Sequence, residues 1–406
     1  MKNVLIVGAG FSGMSLAFYL NQKGCQVTIV EKNSHPGGMI FSPQQPFGMY
    51  ESAANGFLNT AKVESFLSSI EVKALGSATQ SSKRYIFRSK PRRWPLSFSE
   101  SIFFSIKLLL FFTTKKVNRM ADLAESVQSW SLRKFGRAFT NLVLAPALQG
   151  IYAGDINKLS ANLVINQILN RKRQKKLSTS TLISAQDGMG QIMRQLEKKL
   201  IENGVQIKYS TSWNAEMKSD HLVIATSANQ AFPVLNSLHE SSNASLLANI
   251  EMLPLITATC FFNSKPARYK GFGILFPRNQ GVRALGLLMN SVIFDRKSKK
   301  HSETYILGGA LDANVMNLSD EELTKQIQSD RDLALGQHQN ISEIVITRWL
   351  QALPHYTIAL EKILSLLKPM PAITLHGNYL GSLGLSRLLE RSESLAEEIV
   401  KAKSNE

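Results

Sequence analysis

The chain has 406 residues, 44% hydrophobic and 19% charged, enough apolar material for two or three domains with sizeable cores. Cys25 and Cys260 are too few and too scattered for a disulfide framework or a zinc site, and read as buried thiols in a reducing compartment. The net charge of +17 is unevenly spread: Lys83 to Lys176 holds 19 Lys or Arg against 4 acids, and the remainder is nearly neutral. No internal repeat or low-complexity tract is present. The chain opens directly on an apolar strand, so no signal peptide or N-terminal anchor is expected.

Val4 to Val7 is a short apolar run suited to a strand buried on both faces. Gly8-Ala9-Gly10-Phe11-Ser12-Gly13 follows, then Met14, Leu16, Ala17 and Leu20 at helical spacing until Lys23-Gly24. Val27 to Val30 form a second strand with Glu31 at its end. Strand, glycines, helix, strand and acid in this order predict a dinucleotide site. Gly8 permits the tight turn, Gly10 lets the backbone approach a pyrophosphate, and Gly13 lets helix and strand pack closely. Phe11 and Ser12 open the helix whose free amides and positive end receive the diphosphate. Glu31, followed by Lys32, is placed to accept hydrogen bonds from the adenosine ribose. Pro36-Gly37-Gly38 then brings chain back over the cofactor, and Gly37 and Gly38 allow the close approach that a flavin needs and a nicotinamide enzyme usually does not.

Tyr50 to Phe57 reads as a turn before a short helix, and Lys83 to Phe87 as a strand. Ser101 to Phe112 is apolar around most of a helix, yet at twelve residues with Lys107 inside it is too short to span a bilayer. Arg88, Lys90, Arg92, Arg93 and Trp94 precede it, and Lys115, Lys116 and Arg119 follow. This combination suits a monotopic segment on an anionic leaflet. A helix buried in a helical subdomain, a nucleic-acid patch and a solvated basic face compete. Nucleic-acid binding comes last, because it interleaves bases with exposed aromatics rather than with a solid aliphatic run.

Residues 122 to 176 look helical, broken at Pro146 and by a loop over Gly150-Ile151-Tyr152-Ala153-Gly154-Asp155. A helix opens at Gly188-Met189-Gly190 and ends at Asn203-Gly204, a strand follows from Val205 to Tyr209, and His221 to Thr226 returns to the nucleotide sheet. Strands dominate from Leu255 to about Leu311, followed by a helix from Ser319 to about Leu335. Ile373 to His376 is a last strand, leading through a turn with Gly377, Tyr379, Gly381, Leu383 and Gly384 into a helix with Leu388, Leu389, Leu395, Ala396 and Ile399 on one face. A second helix N-terminus arriving at the cofactor stabilises negative charge on a reduced isoalloxazine, which argues independently for FAD.

These motifs resemble the HemY-type protoporphyrinogen oxidases of the flavin amine-oxidase superfamily. Glu125-Ser126-Val127 leading to Gly150 to Asp155 and Lys158-Leu159-Ser160 carries the likeness. So do Gly271-Phe272-Gly273 with Leu275 and Pro277, the block Gly286 to Phe294, Arg348-Trp349, and Pro354-His355-Tyr356-Thr357. The resemblance implies an α/β fold with an FAD-binding Rossmann-like domain from residues 1–60, 181–235 and 369–406. It further implies a sheet-based substrate domain from 61–90 and 236–368, and a helical membrane-binding insertion at 91–180.

The activity implied is oxidation of protoporphyrinogen IX to protoporphyrin IX in haem biosynthesis, with non-covalent FAD and oxygen as acceptor. Coproporphyrinogen III, an amine or a polyene as substrate, and a flavin-binding protein with little turnover, are the alternatives. The implied partners are the porphyrinogen and an anionic membrane surface, with no nucleic acid, and a homodimer is admitted. The implied location is cytoplasmic, peripheral on the membrane's inner face. Arg84 matches an arginine that grips a propionate by two parallel hydrogen bonds. Phe294 matches a ring against the macrocycle and Leu275 an aliphatic wall, while Asn55, Tyr152 and Tyr379 border the cavity or the flavin. No catalytic side chain is nominated, since the flavin takes a hydride and the proton leaves through pyrrole nitrogens or water. None of the seven His forms a metal-like cluster, so no metal is expected. The chain departs from the family at Ala53-Ala54, where Gly-Pro is usual, and is shortened at 57–83 and 210–221.

Overall fold

The structure, a computed structural model, describes residues 1–170, 180–264, 269–296 and 298–402. Five parallel strands form one sheet in the order Gln206–Lys208, Gln26–Val30, Asn3–Val7, His221–Ile224, Ile373–Leu375. Its central strands are continuously apolar because both faces are covered. The helices Phe11–Gln22, Met189–Glu202 and Leu385–Lys401 pack one face, against Val4, Ile6, Val27 and Ile29. On the other face, Leu5, Val7, Leu222 and Ile224 meet helices between Val127 and Leu247.

A seven-stranded mixed sheet runs in the order Glu343–Pro354, Met252–Phe262, His301–Gly308, Gly286–Leu288, Gly273–Leu275, Arg84–Phe87, Pro91–Arg92. Helix Asp320–Leu335 covers it with Leu323, Ile327 and Ala334; a Ser319–Glu322 capping box starts that helix and Gly336 in the left-handed region ends it. Between sheet and helix lies a buried ion pair, Glu303 with Arg331 at 3.1 Å, with Arg331 stacked on Phe262. Burial alone would raise the Glu303 carboxyl, but His301 and Arg331 beside it hold it below the usual range. Both cysteines are buried and neither is disulfide-bonded.

The basic apolar stretch forms the helix Phe98–Thr113, opened by a second capping box between Ser97 and Glu100. Arg88 pairs with Glu100 at 2.7 Å, and Trp94 donates to Ser101 Oγ at 2.8 Å. Phe104 stacks on Phe139 at 4.3 Å and Phe111 is buried, which anchors one edge. The rest of the face is open: Phe98, Phe103, Ile106, Leu109, Leu110 and Phe112 are each at least half exposed. Among the described residues no helix is long and apolar enough to cross a membrane.

The helical stretch after residue 122 differs from expectation at two places. Pro146 does not break it, because a π turn over Thr140–Leu144 runs straight into helix Ala145–Tyr152 and leaves the proline in a first turn, where its missing N–H costs little. The helix also continues through Gly150 to Tyr152, and the chain reverses only at Ala153, whose φ is 50°. The expected helix beyond residue 170 lies outside the described residues. The long strand Glu343–Pro354 and the helices Ala228–Ser237 and Ser241–Ala248 went unanticipated, the first of these helices because Pro233 interrupts its pattern.

Two histidines hold the last strand, one across the sheet and one, just after the strand, to the C-terminal helix. His221 Nε2 lies 2.8 Å from Thr374 Oγ1, and His376 Nε2 lies 2.8 Å from Ser392 Oγ. Burial, aided by Lys2 and Arg391 respectively, pushes each imidazole down to about 4 from 6.5. The folded chain therefore binds fewer protons than the unfolded chain between those values. Their contribution to stability is full above about 6.5 and is lost as the pH falls towards about 4. Melting temperatures should fall across that window, and the slope should flatten in a His221→Gln, His376→Gln variant. An unchanged slope in the double variant would assign the acid sensitivity to other groups.

Candidate active site

The first strand ends at Gly8, and helix Phe11–Gln22 returns across it so closely that a Cβ on Gly13 would lie 2.0 Å from the Gly8 carbonyl oxygen. Only glycine permits that approach. Gly10 is the opposite case: a Cβ there meets nothing within 4 Å and would project into open space at the cavity wall. No side chain caps this helix, so its first amides point unclaimed at the same space. Glu31 is fixed at the edge by two backbone donors, Ala9 N at 2.8 Å and Asn33 N at 2.9 Å. Gly37 N donates to Ala9 O at 2.8 Å, which brings the second glycine pair over the first.

A second helix, Leu385–Lys401, starts at the same cavity without a side-chain cap at Gly384. Ser15 Oγ and Ser392 Oγ, 2.8 Å apart, clamp the two helices together. The third helix facing this region, Met189–Glu202, has its positive end occupied. Glu51 accepts from Met189 N at 3.1 Å, Ser42 Oγ accepts from Gly190 N at 2.7 Å, and Arg296 lies 3.6 Å from Glu51. Burial raises the Glu51 carboxyl, opposed by Ser42 and Arg296.

All of this opens on one cavity of about 2100 Å³. Ordinary ligand pockets hold about 300–1,000 Å³, so there is room for a dinucleotide and a second sizeable molecule. At the end near Glu31, Trp213 lines the cavity, with its Nε1 buried and making no hydrogen bond to a described group. At the other end the seven-stranded sheet supplies Leu255, Ile306 and Leu353, faced by Met39. Thr257 Oγ1 and Trp349 Nε1 also line it, but both donate to Ser52 O, at 3.1 and 3.0 Å. Helix Ala145–Tyr152 borders this end with Gln149, Gly150 and Ile151. Arg387 lines the cavity while donating to the Gln167 side chain. The Tyr152 and Tyr356 rings lie 5.2 Å apart, and burial raises both phenols. Among the described residues no group of His, Cys, Asp and Glu could hold a metal ion.

The residues expected to hold the cofactor divide into two layers. Gly8, Gly10, Phe11, Ser12, Glu31, Lys32, Gly37, Gly38, Gly377 and Leu383 line the cavity. Gly13 and Tyr379 sit behind it, the latter fully buried with its ring against Gly377, while Gly381 bonds through its carbonyl to Gln167 Nε2. Among the residues expected to hold substrate, Arg84 is exposed and stacks over Phe272 at 5.1 Å, outside the cavity lining. It faces away from Phe87, the residue of the same strand that enters the core. Leu275 packs beneath Gly150, and Phe294 lies 2% exposed behind Gly56 with Arg296 stacked on it at 4.6 Å. Asn55 stands between the lining residues Ala54 and Gly56 without lining the cavity itself. Sequence reasoning missed Gln149, Arg387, Trp213 and the Glu51–Arg296 pair. Only the position of Gln149 and Arg387 next to glycine-rich stretches offered a signal.

The two glycines make separable predictions. Gly10→Val should leave the melting temperature of the flavin-free protein near that of the unsubstituted chain, while flavin absorbance disappears from the purified protein. Gly13→Val forces helix from strand, so it should cost about 1–3 kcal/mol or more in stability, whether or not flavin is present. Retained flavin in the Gly10→Val protein would move the diphosphate elsewhere.

Comparison with known proteins agrees with this geometry. The chain is 23% identical to the mitochondrial protoporphyrinogen oxidase of Nicotiana tabacum, covering 98% of this chain and 95% of that one. It is 21% identical to the coproporphyrinogen III oxidase of Bacillus subtilis (strain 168), covering 93% of each. The solved structure of a reduced UDP-galactopyranose mutase shares the fold at a TM-score of 0.76 and 11% identity, over 99% of this chain and 94% of that one. A family profile described as flavin containing amine oxidoreductase matches residues 11–387. The chain therefore belongs to the flavin containing amine oxidoreductase family.

Proposed function

We propose that the chain oxidises protoporphyrinogen IX to protoporphyrin IX, using non-covalently bound FAD and oxygen as acceptor. The observation that carries the reading is the single cavity joining two uncapped helix ends to an apolar far wall. When bound, the flavin supplies two-electron acceptance, so full aromatisation takes three turnovers. Neither Cys nor His is among the described lining residues, which supports a cofactor held without a covalent link.

The chain's own residues have a limited task. Leu255, Ile306 and Leu353 exclude water and wall in the macrocycle, while Arg387 provides a cation for a propionate. Glu31 and Glu390 are the only described acids in the lining, and neither belongs to the seven-stranded sheet. The proton therefore leaves through pyrrole nitrogen or water rather than through a carboxylate base. Coproporphyrinogen III is the second reading, favoured by the Bacillus subtilis relative.

Purified protein given each porphyrinogen under oxygen should develop porphyrin fluorescence, faster with protoporphyrinogen. A faster rate with coproporphyrinogen would select the second reading, and no fluorescence with either would end both. Arg387→Ala should lower kcat/KM by roughly ten- to hundred-fold, the value of one charge-assisted hydrogen bond, with the flavin retained.

The same reading places the chain in the cytoplasm, on the inner face of the membrane, through helix Phe98–Thr113. Its exposed apolar face, the exposed Arg92, Arg93, Lys115 and Lys116 around it, and Trp94 at its entry support this. Each cation near an anionic surface contributes about 1 kcal/mol. Flotation should recover the protein with anionic vesicles, and a Phe103→Glu, Leu109→Glu variant should stay at the bottom. Equal recovery of both proteins would remove the helix from the contact.

A further inference from the structure

Two side chains in the cavity carry donors that the fold itself does not use. Arg387, in the first turn of helix Leu385–Lys401, is half-buried and lines the cavity. Its Nη1 donates to Gln167 Oε1, and Gln167 Nε2 donates to Gly381 O at 2.9 Å. Its Nε and Nη2 bond to no described group, yet neither is sealed from solvent. Among the described residues no acid pairs with this guanidinium. Tyr152, in the last turn of helix Ala145–Tyr152, lines the same cavity and is 6% exposed. Its hydroxyl also bonds to no described group, and it is open, unlike the Tyr379 hydroxyl, which is buried without a partner. The small part of Tyr152 that the cavity reaches therefore includes its hydroxyl.

A closed run of contacts brings the two together. The Tyr152 and Tyr356 rings lie 5.2 Å apart, and Tyr356 donates to Asn378 O in the turn that continues to Gly381. Gln167 then joins Gly381 to Arg387. Arg387 is near enough for its charge to act on both phenols. Burial outweighs that charge and raises the Tyr152 phenol, so it keeps its proton at neutral pH and serves as a donor. Ala310 N, just after strand His301–Gly308, donates to Ala153 O at 2.8 Å, so this helix end abuts the seven-stranded sheet. The donors thus stand beside apolar walls, and their complement is a carboxylate on an apolar molecule. A carboxylate has about four lone-pair sites; the Nε–Nη2 edge takes two and the phenol a third.

We propose that Tyr152 is a specificity-determining residue, whose hydroxyl donates to the substrate carboxylate that the Nε–Nη2 edge of Arg387 grips. The assignment rests on the porphyrinogen reading above and adds the group that selects free acids over neutral discs. A guanidinium alone accepts any anion within reach, whereas a further donor on a packed ring demands an oxygen at one place. A substrate whose carboxyl is masked leaves the cation and the phenol unpaired, and is disfavoured on that account.

The test uses Tyr152→Phe, which keeps the ring and removes only the donor. Holoenzymes are given protoporphyrinogen and its dimethyl ester, and kcat/KM for each is measured together with flavin content. The ratio of kcat/KM for the acid to that for the ester should fall by roughly ten-fold in the Phe variant, the scale of one hydrogen bond to a charged group. In an Arg387→Ala background the same change should lower the ratio much less, since the carboxylate is no longer held at that place. An unchanged ratio would overturn the assignment, and so would equal losses on acid and ester, which would make the phenol a packing group. Fully additive losses in the double variant would put the two residues on different groups and overturn it as well. Loss of flavin from the Phe variant would move the phenol to the cofactor. Unsubstituted protein that binds flavin yet oxidises neither acid nor ester would defeat the functional reading itself, and this assignment with it.

Discussion

The close approach of Gly13 to the Gly8 carbonyl is the constraint on which the rest of the molecule depends. It sets the angle at which helix Phe11–Gln22 leaves the sheet, and so where that helix aims its unpaired amides. The Ser15–Ser392 hydrogen bond then fixes the C-terminal helix against the first, so a second positive end arrives at the same space. Each helix end behaves as roughly half a positive charge. The two together favour an anionic cofactor at one end and accumulating negative charge at the other.

That arrangement is selective because the third helix is silenced. Glu51 neutralises the end of Met189–Glu202, and Arg296, held to Ser184 and Ala185, anchors Glu51 from behind. The turn after Glu51 brings Ala53, Ala54 and Gly56 to the cavity wall. Ser52, between Glu51 and that turn, is held by Thr257 and Trp349, which both donate to its carbonyl oxygen.

The nucleotide end was legible because its determinants are local. Strand, glycines, helix, strand and acid occupy one short stretch, and the order of residue types carries the geometry. The substrate end was not legible, because which face a side chain takes is settled by distant packing. Arg84 and Phe87 lie three residues apart on one strand, yet one faces solvent and the other the core. Phe294 is an aromatic next to Gly56, but Arg296 occupies its outer side and removes it from the cavity surface. Gln149 lies inside a proline-started helix that the sequence pattern breaks at Pro146 and again at Gly150. The apolar helix at 98–113 was visible as a helix, whereas its open face required the structure to show which edge Phe104 and Phe111 use.

The order of strands in the parallel sheet governs how the chain comes to be folded. Asn3–Val7 and Gln26–Val30 can pair as soon as they are made, but Leu222 must wait for Ile373, and the strand His221–Ile224 has an open edge until then. Closing so large a loop is slow, and an unpaired apolar edge during that wait invites association with other chains. The half-built sheet already holds Gly10 and Glu31, while Gly384 is still unmade. A ligand able to grip that first half weakly, and the finished site strongly, draws the population toward the native state by mass action. A dinucleotide present during synthesis and binding in that way would raise the yield of folded protein, independently of any turnover the finished molecule performs.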